Sequence, residues 1–256
     1  MPPEAWLRPD WGAPANVRAL MSTRAGGSGV SPFDTNNLAL DPADPAAADN
    51  RRRMAAALGA DLRWLHQVHG ADVVRLQALP PATPFRADAS VSSQPGVACV
   101  VMVADCLPVL FCAAGGRAVG AAHAGWRGLA AGVLEHTVQA LCDEAGCAAG
   151  AIEAWLGPCI GPRQFEVGAD VLQAFGQDPA VTSTPHFVRR DRPDGQARWL
   201  ADLPALARQR LAQVGVTRTS GGHWCTVEDA SAFFSFRRDA RGGPTGRMAA
   251  AVAIAR

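Results

Sequence analysis

Short apolar runs broken by Gly and Pro, with a few helical stretches between them, set the pattern of this chain. Val17–Met21 predicts a first strand, followed by the flexible run Gly26-Gly27-Ser28-Gly29 and a loop through residues 33–38. Residues 49–58 have helical spacing, with Asp49 or Asn50 near the start and Gly59 as the stop. Residues 62–68 and 71–76 read as a strand pair turning at Gly70, and residues 80–84 as a rigid Pro-bounded loop. Residues 100–104 are β-branched and apolar, as in a strand buried on both faces. After Gly128, the positions Leu129, Val133, Leu134, Val138 and Leu141 lie on one helical face that ends near Gly146.

Ile152–Leu156 predicts a strand that stops at a Gly/Pro loop, residues 157–162. Residues 169–175 and 203–214 read as helices, and the polar stretch 178–196 between them as a mobile surface segment. The chain closes with a strand at residues 233–236, a turn at 242–244 and a last strand over 248–255. Several strands lack an intervening helix. A regular strand–helix alternation is therefore excluded, and a mixed α/β sandwich is expected, in a single domain over residues 1–256.

The pattern concentrates around residues 100–129. Two apolar runs there each end on a side chain with reactive chemistry: residues 100–104 lead into Asp105-Cys106, and residues 118–122 into His123. Pro108 argues against helix between them, and Gly125 and Gly128 bracket Trp126-Arg127. A further imidazole comes from His66-Gln67-Val68-His69-Gly70. On a regular strand His66 and His69 face opposite sides, so at most one enters a shared site, and His69 at the turn is the better placed.

Composition narrows the setting. The formal net charge is +1, so no field draws the chain to nucleic acid or anionic lipid. All basic residues are Arg, the better bidentate anion binder. The seven cysteines are scattered, without a CxxC spacing, and the first residues lack the basic start and apolar run of a signal peptide. Reduced thiols in a cytoplasm are expected. Residues 97–114 are apolar enough for a membrane span, but Asp105 at the centre would add about 2.5–3.5 kcal/mol to insertion. The stretch reads as core, and nothing in the sequence dictates an oligomeric state.

Two His and one Cys supply three metal ligands and leave a fourth position open, the form of a catalytic zinc site. Zinc there deprotonates the thiol and lowers the pKa of a bound water to about 7. Asp105 either orients a ligand and handles a proton or serves as a structural hydrogen-bonding group. Two other mechanisms stay open: a metal-free Cys106–His123 nucleophilic dyad, and a copper centre of two His and one Cys. A full multicopper oxidase needs far more imidazoles than the six in this chain.

HQVHG at residues 66–70, ADCLPVLF at 104–111 and AAHAGWRGL at 121–129 resemble the laccase-domain, or YfiH-like, family. STRAGG at 22–27, LGPCIGP at 156–162, FEVG at 165–168, FFSFRRD at 233–239 and TGRM at 245–248 extend the likeness across nearly the whole chain. The resemblance implies a mixed-sheet α-β-β-α sandwich, distantly related to Cys–His deamidating toxins. It implies zinc, or copper in the older view, held by His69, Cys106 and His123.

The activities attached to that family centre on purine nucleosides. They include phosphate-dependent cleavage of adenosine, inosine, guanosine and methylthioadenosine, and adenosine deamination. Copper-dependent phenol oxidation and editing of peptidoglycan precursors are attached to the family as well. Phosphorolysis needs a phosphate held at C1′, and Arg24 and Arg127 are candidates for it, each against the alternative of a surface salt bridge. Arg237, Arg238, Asn37 and Glu166 are further candidates for substrate contact or for support of the fold. Phe236 stands where the family often has Tyr, and Asn36-Asn37-Leu38-Ala39 departs from the usual LNLG.

The expected function is a zinc-dependent purine nucleoside phosphorylase acting on nucleoside and phosphate, with adenosine deamination as a second activity. The rivals are a cell-wall-precursor amidase, a copper-dependent polyphenol oxidase and a non-catalytic metal-binding regulator.

Overall fold

The computed structural model describes residues 3–39, 44–78, 83–180, 183–239 and 243–256. Most of the loop expected at 80–84, and the first residue of the turn expected at 242–244, lie outside them. Two sheets stack face to face. The first has the order β1 (Val17–Met21), β14 (Met248–Ile254), β5 (Val97–Val103), β2 (Asp61–Arg63). The second has the order β13 (Arg218–Gly221), β8 (Ile152–Leu156), β6 (Leu107–Ala113), β7 (Val119–Ala124), β4 (Ala89–Ser92), β3 (Val73–Arg75).

Strand alternation sorts the side chains into layers. Val97, Cys99, Val101 and Val103 of β5, with Met248, Ala250 and Val252 of β14, meet Leu110, Val119, Ala121 and Trp155 of the second sheet. The alternate residues Ala98, Val100, Ala249, Ala251 and Ala253 face outward, onto Met54 and Leu58 of α1 (Ala47–Leu58). On the far side, Val109, Phe111 and Ala122 face Leu134, Val138 and Leu141 of α3 (Val133–Ala145), with Leu206 and Leu211 of α5 (Leu203–Gln213) in the same cluster. The order α-β-β-α is the expected sandwich. Strands with helices or a second sheet on both faces are buried throughout, which is why β6, β7 and β14 are apolar along their length, His123 of β7 excepted. No helix among the described residues is long and apolar enough to cross a membrane.

Local pattern misassigned four regions. The pair expected to turn at Gly70 is not a hairpin: β2 belongs to the first sheet and β3 to the second, so the intervening loop crosses between sheets. The helix expected to run on from Leu129 is two, α2 (Trp126–Ala130) and α3, because Gly132 takes a left-handed φ of 93°. The strand expected at 233–236 is instead a buried Phe233-Phe234 pair followed by the helical turn α6 (Phe236–Asp239).

The stretch 178–196 contains β10 (Ser183–Thr184) and β11 (Phe187–Arg189). These join β12 (Trp199–Ala201) and β9 (Glu166–Val167), the strand that leads into α4 (Ala169–Ala174), in a third, antiparallel sheet anchored by buried Phe187 and Trp199. Within the second sheet, Phe111 is fully buried at the centre of the layer facing α3. Phe111→Ala is expected to lower unfolding stability by about 3–5 kcal/mol. Urea titration should show a lower midpoint with an unchanged slope.

Candidate metal centre and active-site cavity

Two of the crossings between the stacked sheets end at the same place. Residues 64–72 pass from β2 to β3 and carry His69; residues 104–106 pass from β5 to β6 and carry Cys106. His123 lies next to the end of β7, paired with Pro108 of β6. The ligand atoms of His69, Cys106 and His123 all lie within 4.8 Å of one another. Cys106 Sγ is 3.8 Å from His69 Nε2, close to the edge of about 3.5 Å that zinc–ligand bond lengths give for a tetrahedron. Gly125 leaves the room for this approach: a Cβ there would sit 3.0 Å from Cys106 Sγ and 3.1 Å from His69 Cδ2.

The two crossings are sharp. His69 (φ 61°) and Asp105 (φ 91°) are the non-glycine residues with left-handed backbone among those described, and each lies in a crossing. Hydrogen bonds hold both. The buried Asp88 carboxylate accepts from the backbone N–H groups of Val68 (3.0 Å), His69 (2.9 Å) and Gly70 (2.7 Å). The same carboxylate lies 2.8 Å from His123 Nδ1. We assign the proton there to Nδ1, which leaves Nε2 for the centre. Gln67 adds a second tie to the first sheet: its side-chain amide donates to Met102 O (2.9 Å) and accepts from Met102 N (2.7 Å).

These contacts fix the charges. Burial alone would push the Cys106 thiol up, but the neighbouring His123 charge and hydrogen bonds from His123 and His69 bring its pKa down to about 6. Burial alone would likewise lower His123; the Cys106 charge and the Asp88 hydrogen bond raise it to about 9. Asp88 is disfavoured as an anion by burial, yet the His123 hydrogen bond and the Gly70 and Val68 N–H groups hold it below the usual carboxylate range. Without a metal the trio is a thiolate–imidazolium pair, and with one it is a three-ligand centre whose thiol is already acidic.

The three ligands open onto a cavity of about 570 Å³, within the usual size for a small-molecule site of about 300–1,000 Å³. Its walls include Met102, Trp126, Ile160, Phe165 and Phe236, together with the guanidinium-bearing Arg127, Arg237 and Arg247.

Residues 18–255 match the family described as "Multi-copper polyphenol oxidoreductase laccase". The chain belongs to that family. It is similar to a Pseudomonas aeruginosa protein named purine nucleoside phosphorylase, 49% identical over 250 residues, covering 97% of this chain and 98% of that one. The Escherichia coli purine nucleoside phosphorylase YfiH is 49% identical over 245 residues, covering 94% and 95%. Among solved structures, a Neisseria meningitidis protein aligns with a TM-score of 0.85 at 41% identity, over 99% of this chain and all of that chain (100%).

In this laccase-domain chain the residues expected from sequence fall into two groups. His69, Cys106, His123, Asp105, Arg127 and Arg237 line the cavity, and His66 lies in its wall outside the ligand trio. The Asp105 carboxylate is taken up on both oxygens, by Thr226 Oγ1 (2.6 Å) and by the backbone N–H of Arg237 (2.6 Å), so it is a structural anchor.

Arg24, Asn37 and Glu166 are not among the lining residues. Arg24 donates to the carbonyls of Ala230 (2.8 Å) and Asp34 (3.3 Å). Asn37 is buried against Asp44, Ala39 N and Arg247 N. Glu166 pairs with Arg192. Arg238, with its donors on Asp239 and on main-chain carbonyls, supports the fold.

Asp88 and Gln67 were not singled out from sequence, because each acts through contacts distant along the chain. Asp88→Ala is expected to weaken metal binding at this centre, probed with zinc, about 10–100-fold while leaving all three candidate ligands in place. Equilibrium dialysis against wild-type protein, which should take up one equivalent, checks this; an unchanged affinity would remove Asp88 from the centre's support.

Proposed function

We propose that the chain is a zinc-dependent purine nucleoside phosphorylase, cleaving adenosine and related purine nucleosides with phosphate, with adenosine deamination as a second activity. The observation that carries this reading is the composition of one cavity: apolar and aromatic walls for a flat base, Arg127 and Arg237 for phosphate, and the His69–Cys106–His123 centre. The names of the relatives that are 49% identical support the same substrate class.

In phosphorolysis a phosphate oxygen bonds to C1′ as the C1′–N9 bond breaks and the base leaves with the bonding pair. Positive charge builds on the ribose, and a phosphate anion held against it lowers the barrier. Arg127 and Arg237 are the groups to orient that phosphate, since guanidinium pairs bidentately with its oxygens. The Arg127 guanidinium is stacked on the Trp126 ring, 4.2 Å from its centroid, and the Arg237 backbone is fixed by Asp105. Both are therefore pre-positioned in part.

His69, Cys106 and His123 fit zinc in number, donor type and spacing, and Asp88 sets the tautomer of His123. The ion would supply a Lewis acid and an activated water near neutral pH, the chemistry deamination requires. An oxidase of the multicopper type needs more copper ligands; among the described residues this trio is the group of that kind.

Incubating the protein with adenosine should give adenine and ribose 1-phosphate only when phosphate is present, and a smaller yield of inosine with or without it. Adenosine left intact in both samples overturns the reading in favour of amide or ester hydrolysis at the same centre. Cys106→Ala and His123→Ala should each lose bound zinc and purine chemistry together; full activity in metal-free protein would refute the zinc role. Arg127→Ala should raise the KM for phosphate at least about tenfold, the loss of one charge-assisted contact.

A further inference from the structure

A second cleft, of about 690 Å³, shares a wall with the first cavity. Along residues 164–166 the side chains alternate: Phe165 lines the first cavity, while Gln164 and Glu166 line the second. Arg237 borders both. The second cleft is polar, with Arg192, Arg198, Arg237 and Arg238 set against the carboxylates of Glu166 and Asp170.

The hydrogen bonds show which of these charges are engaged. Arg238 is spent on Asp239 and on the carbonyls of Thr226, Val227 and Phe233. Asp170, at the start of α4, keeps its carboxylate at the edge of the cleft. Three guanidinium groups remain. Arg192 Nε donates to Glu166 Oε1 at 2.8 Å, and Arg198 Nε lies 3.9 Å from the same oxygen, so one carboxylate serves two cations.

Arg237 has no carboxylate partner for its guanidinium among the described residues; its Nη1 reaches the carbonyls of Gln164 (3.4 Å) and Glu166 (3.3 Å). The turn presenting Arg192 and Arg198 is formed by its own backbone bonds, Arg192 N to Gln196 O (3.0 Å) and Arg190 N to Arg198 O (2.8 Å). Three cations set against the two carboxylates of Glu166 and Asp170 leave an excess of positive charge around the cleft, which favours an anion between them. Guanidinium forks match the oxygens of a phosphoryl group.

We propose that this cleft is a phosphoryl-binding subsite. It takes either the phosphate of a nucleoside 5′-phosphate whose base and sugar occupy the first cavity, or free phosphate delivered toward Arg237. The proposal rests on the phosphorylase reading for what fills the first cavity, and on the arginine geometry alone for the subsite.

The test is calorimetric binding of 5′-AMP, adenosine and inorganic phosphate to the full-length wild type and to an Arg192→Ala/Arg198→Ala variant, with thermal midpoints compared. A substrate-borne phosphate predicts that AMP binds wild type at least about tenfold tighter than adenosine, one charge-assisted contact, and loses that margin in the variant. A free-phosphate site predicts no such margin for AMP, but phosphate affinity that falls at least about tenfold in the variant. In both cases adenosine binds the two proteins alike. AMP and phosphate affinities unchanged by the substitutions overturn the subsite. If the double variant fails to fold, the half-exposed Arg192→Gln alone carries the same comparison. Adenosine that binds but is not cleaved overturns the phosphorylase reading and leaves the subsite standing.

Discussion

Four donors converge on the buried carboxylate of Asp88: three consecutive backbone N–H groups of one crossing loop, and the imidazole of His123. A buried charge is tolerated only when it is paired and hydrogen-bonded, and here the partners belong to two different parts of the centre. The carboxylate therefore does two things at once. It holds the 68–70 turn in a conformation that a non-glycine residue at position 69 disfavours, and it orients the His123 ring so that its other nitrogen faces Cys106. The acidic thiol and the basic imidazole follow from that placement, since each stabilises the charge of the other.

Parts of the sandwich were legible in the sequence. The strands at Val17–Met21 and Ile152–Leu156 and the helix ending at Gly59 carry their signals locally, in short, largely apolar runs and a left-handed stop. The pairing of strands was not legible in the same way. Gly70 looks like a hairpin turn because a local window cannot distinguish a turn within one sheet from a passage between two. Phe233 and Phe234 look like a strand because burial as a pair beneath a helical turn leaves the same apolar mark. Short β4 was missed since Ser90 and Ser92 sit on it, and only the layers around it make those positions buried.

The candidate site divides along the same line. His69, Cys106 and His123 stood out because reactive side chains ended apolar runs or sat at a glycine turn. Asp88 lies in a plain Ala-Asp-Ala segment, and its role becomes visible only with partners 18 to 35 positions away. Arg24, Asn37 and Glu166 share motif blocks with the site and support its surroundings. Each has its polar atoms engaged by main-chain groups or by a neighbouring charge. Asp105 is the intermediate case: adjacent to a ligand in sequence, facing the cavity, and committed on both oxygens to anchoring the chain beyond β13.

The placement of Cys106 and His69 in two separate passages between the sheets has a consequence for how the protein acquires its chemistry. Neither sheet alone contains the centre, and no contiguous segment of the chain does. The thiol, the imidazoles and their common carboxylate meet only once the layers have docked in register. A partly assembled chain thus carries a thiol in the ordinary range and histidines far from it. Reactivity at this centre is an emergent property of the finished sandwich, since its side chains come together only where both sheets are in place.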